Sequence, residues 1–437
     1  MGFLQPVFWV VILLGVMILV HELGHFWAAL AVGVRVETFS IGFGPRLFGF
    51  KRGDTDFRLS AIPFGGYVRM FGEQPGDENA VDPRSFQAKA RWQRAVVIIA
   101  GPLMNIVLAI GIVTGLYMYE FRKEIDTKDP VITSVKPNSA AAQAGFQPGD
   151  RILQFGDQKD PNWDYLTTQE ALNANRTMFV IVERHGQRLN LSVTPRLDPQ
   201  EGVGAIGWIG EQNIQIGEIQ AGSPAAAAGL KPGDLFLNID GQPVASPVTV
   251  QQAVIHSGGK FIDLQVMRNG QMQRFSVAPT KTTDSKLPYR IGVSFRLPVE
   301  IVKLSFPQAF AQSLRFNRQN ALMIFQMLGS IIERRVSPKS VSGPIGIAVM
   351  SNEAAQQGPW MYLLLMALVS LNLAIFNLLP IPILDGGTLL LLLIEMLLQR
   401  EVSLRIKETV FKLGFVFLMM IVVFVIYNDI SKILTKS

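Results

Sequence analysis

A run of about 29 residues, Pro6 to Val34, is long enough to cross a bilayer as a helix, yet it carries His21, Glu22 and His25 as its only ionisable side chains. Hydrocarbon cannot solvate two imidazoles and a carboxylate. Each costs several kcal/mol unless paired or ligated, so a polar group kept in a span marks a functional site. A secretory signal peptide is the competing reading, and Ala29-Leu30-Ala31 imitates a cleavage site. Against it, no basic residue precedes the run, the run is too long for such a segment, and the polar interruption does not fit.

Three further runs have spanning length: Ala95–Tyr119, Pro359–Leu379 and Val410–Tyr427. Pro380 and Pro382 end the third, because proline cannot continue a helix. Four spans put both termini on one side. Residues 31–94 hold ten Lys or Arg and the loop from Arg400 to Lys412 holds four, whereas the first seven residues hold none. The positive-inside rule makes those two loops cytoplasmic, although Arg122, Lys123, Lys432 and Lys436 lie on the other side. The net charge is +6, but no compact basic run exists. The charge therefore reads as orientation and attraction to the lipid bilayer, with no nucleic acid as partner. Cysteine is absent, which removes disulfides and every thiolate metal site.

The long segment between the second and third spans contains a repeat. Ser139-Ala-Ala-Ala-Gln-Ala-Gly145-Phe-Gln-Pro148-Gly149-Asp150 returns as Ser223-Pro-Ala-Ala-Ala-Ala-Gly229-Leu-Lys-Pro232-Gly233-Asp234, at a constant offset of 84 residues. Each copy reads as a strand, a short Ala-rich helix, a Pro-Gly-Asp turn and an alternating strand. The unit is too long for a solenoid repeat and predicts two tandem small domains. Both copies resemble the PDZ domains of bacterial envelope proteases. Asp240-Gly241 makes the usual turn in the second; the first has Gly156-Asp157. From Ser305 to Ile332 the pattern predicts an amphipathic helix, placed on the outer membrane face or against the PDZ pair.

His21-Glu22-Leu23-Gly24-His25 is an H-E-x-x-H match. A spacing of four puts both imidazoles on one helical face, where they can grip one Zn²⁺ with Glu22 beside them as a base for water. A proton relay, a haem site or a transport site remain alternatives. Measured from Val7, His21 lies roughly 21 Å along the helix, inside the membrane and nearer the cytoplasmic face. Zinc needs a third protein ligand. His185 and His256 fall in the soluble repeats and read as ordinary exposed or core residues. Asn377-Leu-Leu-Pro-Ile-Pro-Ile-Leu-Asp385-Gly386-Gly387 offers a carboxylate on a proline-broken segment, where non-helical backbone is tolerated only beside protein or a cavity. Asp385 could instead merely cap the following helix.

Together, the H-E-x-x-H in the first span and the N-x-x-P-x-P-x-L-D-G-G segment resemble the site-2 protease family of intramembrane zinc metalloproteases. The tandem PDZ modules point to its sigma-E-regulating branch. The resemblance covers nearly the whole chain. It implies Zn²⁺ held by His21, His25 and Asp385, with Glu22 as the general base on zinc-activated water. It implies that Asn372 and Asn377 help hold the substrate strand or the developing oxyanion. Gly101-Pro-Leu-Met-Asn105 and Ser342-Gly-Pro-Ile345 match family motifs with structural roles. The cytoplasmic loop, with Ile41-Gly-Phe-Gly44 and Ile62-Pro-Phe-Gly65-Gly66-Tyr67-Val68, reads as short strands, and the family has a membrane-associated β element there. Gly65 and Gly66 become candidate substrate contacts, since an exposed strand edge can pair with an unwound substrate.

The expected architecture is therefore a polytopic α-helical membrane protein with four transmembrane helices, two inserted PDZ-like α+β domains and a membrane-associated β element. Its parts are span one at 1–34, the β loop at 35–94, span two at 95–121, PDZ-like domains at 126–208 and 209–282, a linker with the amphipathic helix at 283–357, span three with its proline segment at 358–395, and span four at 408–428. The expected setting is the bacterial inner membrane, with periplasmic PDZ domains. The expected function is regulated intramembrane proteolysis of single-pass membrane proteins such as anti-sigma factors and remnant signal peptides; ligands of the PDZ grooves stay open. Competing classes are a PDZ adaptor with a vestigial site, against which Glu22 and Asp385 are both present, and a metal or proton transporter. A transporter would want acidic or His residues in several spans, yet span two offers only Asn105 and Thr114 as polar candidates and span four no acidic residue or His before Tyr427.

Overall fold

A computed structural model describes residues 4–73, 81–124, 130–198, 202–210, 214–244, 246–282, 287–296 and 299–436. The sequence-read boundaries at 126 and 283 lie outside the described residues. In chain order the helices are α1 (Leu4–Ala31), α2 (Arg91–Tyr119), α3 (Ala140–Gln143), α4 (Trp163–Leu172), α5 (Pro224–Ala227), α6 (Pro247–His256), α7 (Phe306–Ile332), α8 (Pro344–Gln357), α9 (Pro359–Leu378), α10 (Asp385–Leu398) and α11 (Leu404–Lys436). The chain divides into two compact units, one of residues 1–120, 303–326 and 341–437, the other of 121–302 and 327–340.

The first unit is built on four helices long and apolar enough to cross a membrane: α1, α2, α9 and most of α11. Leu13, Met17, Tyr362 and Met366 form one buried cluster between α1 and α9. α1 and α2 approach closely because Gly24 lies against the Ala100 carbonyl and Gly101 against the His25 imidazole; a Cβ at either position would collide. Several polar groups inside the bundle are paired internally. The Ser370 hydroxyl donates to the Asn105 carbonyl at 2.9 Å, and Asp429 accepts from the Gly343, Ile345 and Gly346 amides at the start of α8. The helix read as amphipathic is α7, and its apolar residues Phe306, Phe310, Leu322 and Phe325 stay exposed. Along its first part α7 packs beside α2, with Ser313 donating to the Ile110 carbonyl and Phe316 edge-on to Tyr117. Ser313 faces α2, a match that apolar spacing alone did not reveal.

Between α1 and α2 stand two long antiparallel strands, β1 (Val36–Arg52) and β2 (Thr55–Met70). They fold back on themselves. Phe39 pairs with Val68 on one side and with Phe57 on the other, while Lys51 pairs with Asp56. The segment from Gly66 to Met70 is thus an edge. Phe26 on α1 packs against Phe39 and Phe57, which fixes the sheet to the helix carrying the H-E-x-x-H residues.

The second unit holds the repeat. The first copy has a four-stranded sheet and the second a larger one, each an α+β module with a strand, a four-residue helix, a turn and a strand in the expected order. Ser139 and Ser223 cap those short helices by accepting from Ala142 N and Ala226 N. The repeated Pro-Gly-Asp has a physical reason. Asp150 accepts from the Gln147 amide within its own turn and from Arg184 through both oxygens, at 2.6 and 2.7 Å. Asp234 does the same with Lys231 and Arg268. The sequence-read boundaries at 208 and 282 need correction, because each module closes on a distant strand. Trp208–Gly210 pairs with the opening strand of the first module, and Val293–Arg296 pairs with Gln215–Ile219 of the second. Local periodicity does not show such long-range pairing.

Glu170 on α4 gives a pH test of the first module. Burial pushes its carboxyl up to about 7, against hydrogen bonds from the Ile206 backbone and the Trp208 side chain. The folded module therefore holds a proton that the unfolded chain releases between about pH 4.5 and 7, and stability falls as pH rises through that window. Replacing Glu170 with Gln, which mimics the protonated form, is expected to raise the module's stability above pH 7 by roughly 1–3 kcal/mol and to leave it unchanged near pH 4.5. Urea unfolding followed through Trp163 and Trp208 measures it; an identical pH slope in both proteins contradicts it.

Candidate metal centre and its cavity

His21 and His25 sit one turn apart on α1, each about 8% exposed. Their Nε2 atoms are 3.2 Å apart. The third group arrives from far along the chain. Asp385 Oδ2 lies 3.2 Å from His21 Nε2 and 3.6 Å from His25 Nε2. One donor atom from each of the three falls within 4.8 Å of the others. The alternative role for Asp385 does not hold: the cap of α10 is Leu384, and the carboxylate is spent on the imidazoles rather than on a cap bond. Its place in the first turn puts an anion at the positive end of the helix dipole.

The turn that delivers Asp385 is tight and strained. α9 stops at Leu378, and Ile383 adopts φ +85°, a left-handed conformation that costs a β-branched residue about 1–3 kcal/mol. Gly386 and Gly387 belong to the first turn of α10, where they let the helix press against the carbonyls of Leu378, Leu379 and Ile381.

Outside these three donors, His25 Nδ1 lies 2.8 Å from the Val97 carbonyl, to which it donates, leaving the Nε2 lone pair directed at the cluster. His21 Nδ1 faces the Asn105 amide. Two neutral imidazoles and a carboxylate, with no thiol in the chain, are the donor set that suits zinc with an open position. The observed convergence of one donor atom from each of the three groups fits such an ion.

Glu22 lines a cavity of about 590 Å³ beside the three donors. Its carboxylate accepts from the Val68 backbone amide, which ties it to the edge of β2. Gly66, Tyr67 and Val68 form the wall opposite, and a Cβ at Gly66 would lie 3.1 Å from Glu22 Cγ. Gly65 has φ +116° and abuts the Phe43 ring. Asn372 and Asn377 are a different matter. Both are half-buried on α9, before the proline turn, and neither is among the described residues lining this cavity. The far wall was not anticipated. Glu395 accepts from Lys407 Nζ at 2.7 Å and from the Val402 amide, and Arg94 donates to Gln87. A lone acid inside the leucine-rich stretch 389–398 was the available signal for Glu395.

The sequence profile of Peptidase family M50 matches residues 9–421. The chain belongs to this family. The chain is similar to the regulator of sigma-E protease RseP of Salmonella typhimurium, 34% identical over 97% of this chain and 98% of that protein. The Escherichia coli RseP is 33% identical over the same shares. A Treponema pallidum protein named as a candidate zinc metalloprotease is 30% identical over 96% of this chain and 98% of its own length. Among solved structures, the PDZ domain of an SdrC-like protein from Listeria monocytogenes aligns with 20% of this chain and 90% of its own, at 21% identity and a TM-score of 0.18.

The packing at Gly101 makes a steric prediction about this M50 chain. Gly101→Val drives a branched side chain into the His25 ring and is expected to cost more than about 2 kcal/mol and to lower bound metal. Metal content and thermal unfolding of the purified variant test it; wild-type values for both contradict it.

Proposed function

We propose that this M50 peptidase is a zinc metalloprotease that cuts single-pass membrane proteins within or beside the bilayer, with His21, His25 and Asp385 as zinc ligands and Glu22 as general base. The observation that carries the reading is the meeting of three donor atoms from two distant helices beside a carboxylate-lined cavity. When bound, zinc supplies Lewis acidity that acidifies water and polarises a carbonyl. Glu22 takes a proton from the attacking water as its oxygen bonds to the carbonyl carbon. It then returns that proton to the amide nitrogen as the C–N bond breaks. The hydrogen bond from Val68 orients the base during both transfers.

A substrate in helical form hides its amides, so it must be extended before hydrolysis. The edge of β2 from Gly66 to Met70, where the Val68 and Met70 amides are already engaged by Glu22 and Glu73, offers its remaining backbone groups to such a strand directly beside Glu22. Asn372 and Asn377 have no assigned step, because neither is among the described residues lining the cavity. The basic loops support a bacterial inner-membrane setting with the PDZ-like modules in the periplasm and the cavity toward the cytoplasm. By likeness to the sigma-E protease regulators, the substrates are anti-sigma factors and remnant signal peptides.

Two variants separate the roles. Glu22→Gln is expected to slow cleavage of a tagged single-pass substrate by a factor on the order of 10²–10⁴ while zinc stays bound. Asp385→Ala is expected to lose both zinc and cleavage. Continued cleavage by Glu22→Gln, or full zinc occupancy in Asp385→Ala, overturns the corresponding assignment.

A further inference from the structure

Each imidazole of the pair must offer an Nε2 lone pair to the cluster, so each must carry its proton on Nδ1. For His25 the acceptor of that proton is visible: the Val97 carbonyl on α2, at 2.8 Å. For His21 the atom facing Nδ1 is the side-chain amide of Asn105, with Nδ2 at 3.4 Å. In that orientation Asn105 would donate to Nδ1 and force the His21 proton onto Nε2, aimed at Asp385 and His25. Meanwhile Asn105 Oδ1 is buried with no hydrogen-bond partner among the described residues. An amide's oxygen and nitrogen occupy nearly equal space, so a half-turn exchanges them without a steric change. After that half-turn Oδ1 accepts from Nδ1–H, and the His21 lone pair points into the cluster.

Resting on the zinc reading above, we infer that Asn105 is a positioning residue that selects the metal-binding tautomer of His21. Val97, Gly101 and Asn105 recur every four residues along one face of α2. The face presents an acceptor for His25, a gap into which the His25 ring fits, and a side-chain amide for His21 that becomes an acceptor after the half-turn. The second span thus acts as a template for both imidazoles of the first. Asn105 is held for this task. It is fully buried, and its backbone carbonyl accepts from the Ser370 hydroxyl, which fixes its height against α9. The interaction acts through His21 and touches no reacting atom.

The test uses the full-length protein in detergent, stripped and titrated with Zn²⁺ against a competing chelator, with ¹⁵N-histidine spectra as a second readout. Asn105→Leu keeps the volume and removes the acceptor; it is expected to weaken zinc binding by about 10- to 100-fold. Asn105→Asp restores an oxygen at the same place and is expected to bind zinc more tightly than Asn105→Leu. In the spectra, the His21 Nδ1–H signal of the zinc-loaded wild type is expected to be lost or shifted in Asn105→Leu. A packing role would not rank a carboxylate above leucine in an apolar interior, nor move the tautomer signal. Wild-type affinity in Asn105→Leu, or equal weakness in Asn105→Asp, overturns the inference. His21→Ala is the control: if the wild type itself binds no zinc that His21→Ala loses, the zinc reading fails rather than this one.

Discussion

Two imidazoles and a carboxylate held together inside an apolar helix bundle are the interaction on which the rest of the membrane unit depends. Apart, each would be a buried polar group without a partner, at several kcal/mol apiece. Together they converge to within hydrogen-bond distance, and the surrounding structure is arranged to bring them there. α2 can lie close to α1 only because Gly24 and Gly101 leave no side chain between them. The break after α9 exists because Pro380 and Pro382 stop the helix and the strained Ile383 turns the chain back toward His21.

The chemistry of cutting a membrane-embedded chain explains the company this centre keeps. A spanning helix satisfies its own backbone, so its peptide groups are unreachable until it is unwound. Once extended, it needs partners for those groups in a place that water cannot supply them. The edge of β2 beside Glu22 has the right chemistry: backbone at the margin of a sheet, a glycine next to the Glu22 side chain, and the Val68 amide of the same strand turned to the Glu22 carboxyl. The far wall of the cavity is charged, with Arg94, Glu395 and Lys407, which gives that end the polarity water requires.

Most of this was legible because membrane constraints are severe. The four spans follow from length and hydropathy alone, and His21, Glu22 and His25 stand out because nothing else in that run ionises. Asp385 was legible because prolines and a carboxylate at spanning depth demand an explanation. What stayed hidden were relations between distant residues. The strand at 293–296 belongs to the second module through pairing some 80 residues back, and Arg268 became visible as the partner of Asp234 only in three dimensions. Asn372 and Asn377, named by resemblance to the family, stand outside the described lining of the cavity. Asn105 was noticed as a motif position, but its place against His21 depends on how α1 and α2 cross.

The most direct test of the central claim is the position of the metal itself. Anomalous scattering at the zinc absorption edge, from crystals of the full-length protein, locates the ion without reference to activity. The account expects a single strong peak bounded by His21 Nε2, His25 Nε2 and an Asp385 oxygen, each about 2.0–2.2 Å away. A peak elsewhere in the chain, or none between these three groups in zinc-loaded crystals, would contradict it.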